Sequence, residues 1–305
     1  MGMGGLTPLF LMRQIEQKPI KERAATFSGI ALVAVAMLFA FGDCARVTSV
    51  SADSRQAYLG FDRNDYPGDA ALPKLRKTFA FSSYWISPPP GEKTNAWKGK
   101  RDLLRSRGFG FLVLYSGRDS SALKNDADAK SKGALDAERT ISAAKAEHFS
   151  AGTIIFLDIE EGGRLSDTYH TYLAAWWDDL AHAGYRPGVY CSGIPVNEEP
   201  GVTITTADDI RNHASTRDVA FWVYNDDCPP SPGCTTPQDP PAPSKSGIAY
   251  AQVWQFVRSP RDMETALHCR GYAKDGNCYA AFDTAHRFHL DVNSATSADP
   301  SAGAK

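Results

Sequence analysis

Eight short apolar runs, separated by polar loops and helix-like stretches, constrain this chain more than any other feature. They are YLGFD (58–62), TFAFSSYW (78–85), FGFLVLYS (109–116), TIIFLDIE (153–160), RPGVYCS (186–192), VAFWVYN (219–225), AQVWQF (251–256) and FHLDVN (288–293). Several are continuously apolar, as parallel strands covered on both faces require; a half-exposed antiparallel strand would alternate instead. Between them, AWKGKRDLLRSRG (96–108) ends on glycine, while ALDAERTISAAKAEHF (134–149) and SDTYHTYLAAWWDDLAHAG (166–184) carry apolar residues three and four apart. Ser166 is placed to cap the last of these and Gly184 to end it. Eight strands alternating with helices over about 240 residues predict an α/β fold, a (β/α)8 TIM-like barrel. Helical pattern is poor after the sixth and seventh strands, so irregularity is expected on the strand 6–8 side. A doubly wound open sheet would carry a glycine-rich phosphate loop after the first strand, and FDRNDYPGD is not one.

The barrel is expected over 56–296, after a linker at 45–55 and before a flexible tail at 297–305. CPPSPGCTTPQDPPAPSKSG (228–247) holds seven prolines and no apolar period, and reads as a surface insertion. The first 44 residues differ in kind. Arg13, Lys18, Lys21 and Arg23 precede a charge-free run from Phe27 to Gly42, the pattern of an export signal. A spanning helix wants about 20 apolar residues, so this run is short for a permanent anchor. Anchoring through 27–42 stays open as an alternative to cleavage. So does lipidation at Cys44, although Phe41, Gly42 and Asp43 make a poor lipobox. The chain is expected to be exported, touching a membrane only through this segment.

Hydrophobic content of 43 % and charged content of 22 % exclude wholesale disorder, and a net charge of −2 gives no basic footprint for nucleic acid. Four cysteines fall in loops, Cys228 and Cys234 in one, Cys269 and Cys278 in another. They fit disulfides in an oxidising compartment; nearest-neighbour pairing is preferred among three connectivities. Cys191 lies in an apolar strand, where a buried free thiol is expected.

Acidic residues stand at strand ends. Asp62 closes the first strand, Asp158 and Glu160 the fourth, and Asp291 the eighth. The carboxyl ends of barrel strands form the active face, so these four should share one mouth. Residues at i and i+2 of a strand point the same way, which pairs Asp158 with Glu160. Crowded carboxylates raise at least one pKa, as a general acid near neutral pH needs. Asp65 and Glu161 read better as turn or cap residues. Aromatics and amides occur near the same ends: Tyr84, Trp85, Tyr115, Tyr190, Trp222, Tyr224, Gln252, Trp254 and Gln255. Flat rings among carboxylates and amides suit a saccharide, although about half of these side chains must point outward.

GFDR (60–63), LDIEEG (157–162), GVYCSG (188–193), AQVWQF (251–256) and LDVN (290–293) resemble the strand-end signatures of the family 25 glycoside hydrolases, lysozyme-like muramidases on an irregular α/β barrel. GALDAERTISAAKAEHFSAGTIIFLDIE resembles more closely a related family of exported bacterial glycoside-hydrolase-like domains. The resemblance spans roughly 56–296. It implies that Glu160 is the proton donor, Asp158 its partner, and Asp62 and Asp291 the acids of the first and last strands. It also implies a β-linked cell-wall glycan as substrate and needs no cofactor or metal. Arg63 departs from the muramidase pattern and is able to pair with an acid.

Three function classes follow. The first is a peptidoglycan-type glycoside hydrolase acting as a monomer. The second is a catalytically weak glycan-binding barrel with its acids neutralised, for instance by Arg63. The third is a metal-dependent hydrolase using Asp62, Asp158, Glu160 and Asp291 as oxygen ligands, with His289 nearby.

Overall fold

The computed structural model describes residues 57–225, 239–257, 288 and 290–305. The chain divides into units at Met1–Val50 and Ser51–Lys305, and the fold lies in the second. The apolar run 27–42, Cys44, the four loop cysteines and His289 fall outside the described residues. No helix among the described residues is long and apolar enough to cross a membrane.

The strands are β1 (Tyr58–Asp62), β2 (Phe81–Trp85), β3 (Gly110–Ser116), β4 (Ile154–Asp158), β5 (Arg186–Ser192), β6 (Val196–Glu199), β7 (Val202–Ile204), β8 (Ala220–Tyr224), β9 (Val253–Val257) and β10 (Asp291–Ala295). Eight of them close a barrel in the order β1-β10-β9-β8-β5-β4-β3-β2, which is the expected fold class. The helices include α1 (Leu72–Leu75), α2 (Arg101–Ser106), α3 (Asp126–Ala146), α4 (Asp167–His182) and α5 (Thr206–Ala214).

The barrel is not uniformly parallel. β10 runs antiparallel to both β1 and β9, while the other neighbouring pairs are parallel. The β9 and β10 ends that connect to each other therefore both lie at the mouth. Irregularity falls where helical pattern failed: among the described residues the β8–β9 connection carries only a 3-10 turn, Pro243–Ser246. That turn packs back on the barrel, since Pro243 and Ser246 are buried and the Ser246 carbonyl accepts from Asn225 Nδ2 at 2.8 Å. The end of the proline-rich segment is thus part of the fold rather than a free surface loop.

Local signals set the two long helices. Ser166 caps α4 by accepting from Tyr169 N at 3.2 Å, and Asn125 caps α3 by accepting from Asp128 N at 3.0 Å. The two helices cross tightly at Gly133, where a Cβ would lie 2.4 Å from the Tyr172 carbonyl oxygen. The β6–β7 hairpin, between β5 and α5, was not anticipated: its strands are short and exposed, so no buried face imposes a pattern.

The tail expected to be flexible is docked. Ser301 N donates to the Phe111 carbonyl and Ile154 N to the Ser301 carbonyl, each at 2.8 Å. Asp299 Oδ1 takes Phe111 N and Ser301 Oγ takes Val113 N, both at 2.9 Å. Residues 298–301 thereby fill the gap between β3 and β4 at the amino end of the barrel, supplying acceptors that the diverging strands lack. Gly110 admits this segment, because a Cβ there would lie 2.1 Å from the Ala298 carbonyl oxygen.

Candidate active site

Strand register decides which side chains reach the barrel interior. Tyr84 is wholly buried on the helix side, where its hydroxyl donates to Glu147 and its ring meets Trp97, Phe111 and Phe149. The opposite face therefore looks inward. Ser116 pairs with Asp158, Asp158 with Tyr190, Tyr190 with Trp222, and Ser192 with Tyr224 across adjacent strands, so these share the inner face. Tyr224 pairs with Gln255, Gln255 with Asn293, and Asp291 with Asp62, completing the ring.

Asp291 reaches the mouth by a different route from the one expected. It opens β10 rather than closing a strand. Because β10 is antiparallel, its amino end lies level with the carboxyl ends of the others, and Asp291 faces Asp62 directly. Glu160 also differs: β4 ends at Asp158, and Glu160 stands exposed in the following loop.

Of the expected sugar-contacting residues, Trp85, Tyr190, Trp222, Tyr224 and Gln255 lie on the inner face. Trp222 is 1 % exposed and forms the floor, donating from Nε1 to Asn293 Oδ1 at 2.8 Å. Tyr84, Tyr115 and Trp254 have the opposite parity. Tyr115 is buried toward α3, where burial first and the charge of Asp136 next push its hydroxyl up to about 12. Trp254 donates to the Asn225 carbonyl at 2.8 Å. Gln252 lies just before β9, at the end of the barrel away from the acids, where its carbonyl accepts from Thr296 N at 3.1 Å. Four of the nine, Tyr84, Tyr115, Gln252 and Trp254, are therefore placed away from the mouth, by parity or by position along the strand.

Asn293 and Asp119 were not among the expected site residues, whereas Gln255 was. Gln255 is buried and accepts from the Tyr190 hydroxyl; Asn293 Nδ2 donates to Asp62 Oδ1 at 2.6 Å. Counting by twos from Asp291 finds Asn293, and Gln255 pairs with Tyr224 across the sheet. Asp119 sits on the β3–α3 loop, whose position no periodicity reveals. The neighbouring Arg118 binds Asp136, and Tyr169 donates to the Arg118 carbonyl at 2.8 Å, fixing that loop. Glu161 Oε1 accepts from Ser120 N at 2.5 Å, a loop-holding role that matches its expected one.

A cavity of about 230 Å³ opens beside the acids, lined by Ser116, Arg118, Asp119, Asp158, Glu160, Tyr169 and neighbouring loop residues. Asp158 is only 6 % exposed. Burial raises its pKa well above the usual carboxylate range; the charge of Glu160, a hydrogen bond to Glu160, and the charges of Asp62 and Asp119 add to this. The hydroxyl of Tyr190 is likewise raised, by burial and then by Glu160, Asp62, Asp158 and Asp291. That single hydroxyl senses all four expected acids. Arg63 donates from Nη1 to the Phe288 carbonyl at 2.7 Å and lies 3.5 Å from Asp65 through Nη2.

The described residues gather one histidine-containing cluster, His170, Asp209 and His213, outside the cavity lining. Cys191 is a buried free thiol, as expected, with its pKa raised by burial.

Residues 88–228 match the family described as Rv2525c-like, glycoside hydrolase-like domain. The match takes in Asp158, Glu160, Tyr190 and Trp222, and supports the resemblance read from the strand-end motifs. No curated protein matches the chain. An uncharacterized protein of B. stearothermophilus superposes with a TM-score of 0.51 at 19 % identity, covering 78 % of this chain and 95 % of that one. The Tat-secreted protein Rv2525c of Mycobacterium tuberculosis gives 0.46 at 17 % identity, covering 79 % and 96 %. The spore cortex lytic enzyme SleM of Clostridium perfringens gives 0.48 at 15 % identity, covering 79 % and 68 %. At such identities structural likeness speaks for fold alone.

Proposed function

We propose that this chain, whose residues 88–228 match a glycoside hydrolase-like domain, hydrolyses a β-linked cell-wall glycan of the peptidoglycan type outside the cytoplasm. The observation that carries the reading is the Asp158–Glu160 pair: a buried carboxyl with a raised pKa, hydrogen-bonded to an exposed one at the edge of a cavity. Such a pair holds one proton between two acids, as glycosidic cleavage requires. Glu160, the exposed member, delivers that proton to the leaving glycosidic oxygen. Asp158 is left as a buried carboxylate facing the oxocarbenium-like centre, where low polarity strengthens its stabilising charge. Asp62 and Asp291, paired across the first and last strands, orient water or the sugar in this reading. Tyr190, Tyr224 and Gln255 line the cup on which a sugar ring rests. The basic and apolar residues 13–42 support export, and the cell envelope follows as the place of action.

The test is digestion of purified peptidoglycan by the full chain beside Glu160→Gln. The expected result is release of soluble fragments by the parent and a loss of about 10²–10⁴-fold in the variant, the usual contribution of a positioned acid. If both proteins bind the polymer and neither releases fragments, the barrel is a glycan-binding module and the hydrolase reading fails. Loss of activity with a chelator would instead favour the metal-dependent class.

A further inference from the structure

Asp209, in the first turns of α5, is wholly buried, and three elements besides its own meet at or through its carboxylate. It accepts from Leu165 N at 2.9 Å and lies 3.4 Å from Arg164 Nη1, both in the loop that starts at Ile159 and carries Glu160. It lies 2.9 Å from His170 Nε2 on α4. Arg164 in turn holds both Glu198 carboxylate oxygens, at 2.8 and 2.9 Å, on the β6–β7 hairpin. His213, one turn further along α5, lies flat on His170, with ring centroids 3.6 Å apart and planes within 17°.

The hydrogen bonds fix where the protons sit. A carboxylate only accepts, so His170 Nε2 carries hydrogen, and its buried Nδ1 has no partner among the described residues. The Asp209 carbonyl only accepts, so His213 Nδ1, 2.8 Å away, carries hydrogen as well. One added proton can be carried on the pair without burying charge, because the His213 side chain is 40 % exposed. A second must go to His170 Nδ1, creating a buried N–H without an acceptor, stacked on an imidazolium. The charges facing His170 are Asp209 and His213 from α5, Arg164 from the loop, and Asp167 on its own helix. Burial outweighs the carboxylates and holds His170 below the usual histidine range.

The three residues are close enough to suggest a metal, with ligand atoms within 4.8 Å. Nearly parallel rings, however, send their lone pairs into parallel planes that do not converge, and Asp209 already serves an amide, an imidazole and a guanidinium.

We propose that His170, Asp209 and His213 form a proton-sensitive clamp on the Glu160 loop: it holds the loop closed while the stacked rings carry at most one added proton, and releases it in acid. The meaning for catalysis, confinement of glycan cleavage to near-neutral surroundings, rests on the hydrolase reading; the clamp itself does not. An opened His170 binds its proton near the ordinary value of about 6.5, and the clamped one only at lower pH. The clamp is therefore at full strength above that value, weakens as pH falls through it, and is lost below the clamped pKa.

Hydrogen–deuterium exchange of the full chain, corrected for the intrinsic pH dependence of exchange, tests this without substrate. Peptides spanning 159–166 are expected to lose about tenfold in protection between pH 7.5 and 5.0, while those from β4 stay protected. In His170→Gln the loop should exchange alike at both pH values. In His213→Gln, which removes the stacked neighbour, the transition should persist but fall to lower pH, because His170 then meets no second cation. The proposal is overturned by unchanged loop protection in the parent, or by a His213→Gln transition at the parent's pH. It is also overturned if zinc chloride protects the loop stoichiometrically, which would make the cluster a metal site. Failure of peptidoglycan cleavage with the exchange pattern intact would sink only the hydrolase reading.

Discussion

At the scale of single residues, Asp158 separates stability from function. Its carboxyl keeps a proton in the fold at pH values where the unfolded chain has lost it. The folded state binds more protons than the unfolded one, so stability falls as pH rises from the unfolded value near 3.9 toward the raised native value. Asp158→Asn removes that cost while keeping a similar shape. The variant is expected to melt at a higher temperature than the parent at pH 7, by calorimetry, and to lose glycan cleavage. A lower melting point would show that the carboxyl is a net stabiliser, with no conflict between site and fold. Tyr190 is the complementary case: Tyr190→Phe deletes the donor to buried Gln255. An unsatisfied buried amide oxygen costs about 1–3 kcal/mol, which a drop in denaturation midpoint at constant slope would register.

At the scale of elements, the α3–α4 crossing depends on one missing side chain. A Cβ on Gly133 would meet the Tyr172 carbonyl oxygen at 2.4 Å and Ala175 Cβ at 2.9 Å, and the first of these is backbone, which has little room to give. Gly133→Ala gains helix propensity of about 1 kcal/mol but forces the helices apart. Overpacking of this kind costs about 1–3 kcal/mol, so net destabilisation is expected in urea titration; unchanged or increased stability would show that the helices slide freely. Strand positions and the α4 cap were legible because both signals are local: an apolar run for a buried strand, and a serine before a periodic stretch. The β6–β7 hairpin was not legible, since exposed strands carry no hydrophobic face. The early start of α3 was hidden because DADAKSKG, over 126–133, is polar and small.

At the scale of the whole molecule, the last residues and the third and fourth strands form one structure. Arg101 is buried and donates to the Gly303 and Lys305 carbonyls at 2.9 and 3.0 Å, while Ser301 bridges β3 and β4. Removing 298–305 would strand the amides of Phe111, Val113 and Ile154 and the guanidinium of Arg101. The truncated chain is expected to unfold many degrees lower, or to fail to fold; a melting point equal to the parent's would show that the tail only rests on the barrel. Such contacts join residues about 190 positions apart, a range at which neither propensity nor composition reports. The free tail read from a short polar stretch ending SADPSAGAK was the natural local reading.

Apolar runs along the chain disclosed how many strands the barrel has and that acids gather at the ends of its first, fourth and last strands, because burial imposes its pattern residue by residue. Which of the two alternating faces looks inward emerged only with the closed barrel, which set Tyr190, Trp222 and Tyr224 at the cup, Tyr84 and Tyr115 beneath the helices, and Trp254 on the outer face. It also brought Asp291 to the mouth by reversing β10, and left Asp158 buried while Glu160 stayed exposed. Inward and outward, and buried and exposed, are properties of a closed barrel. They arise only when distant strands meet, and no window along the chain contains them.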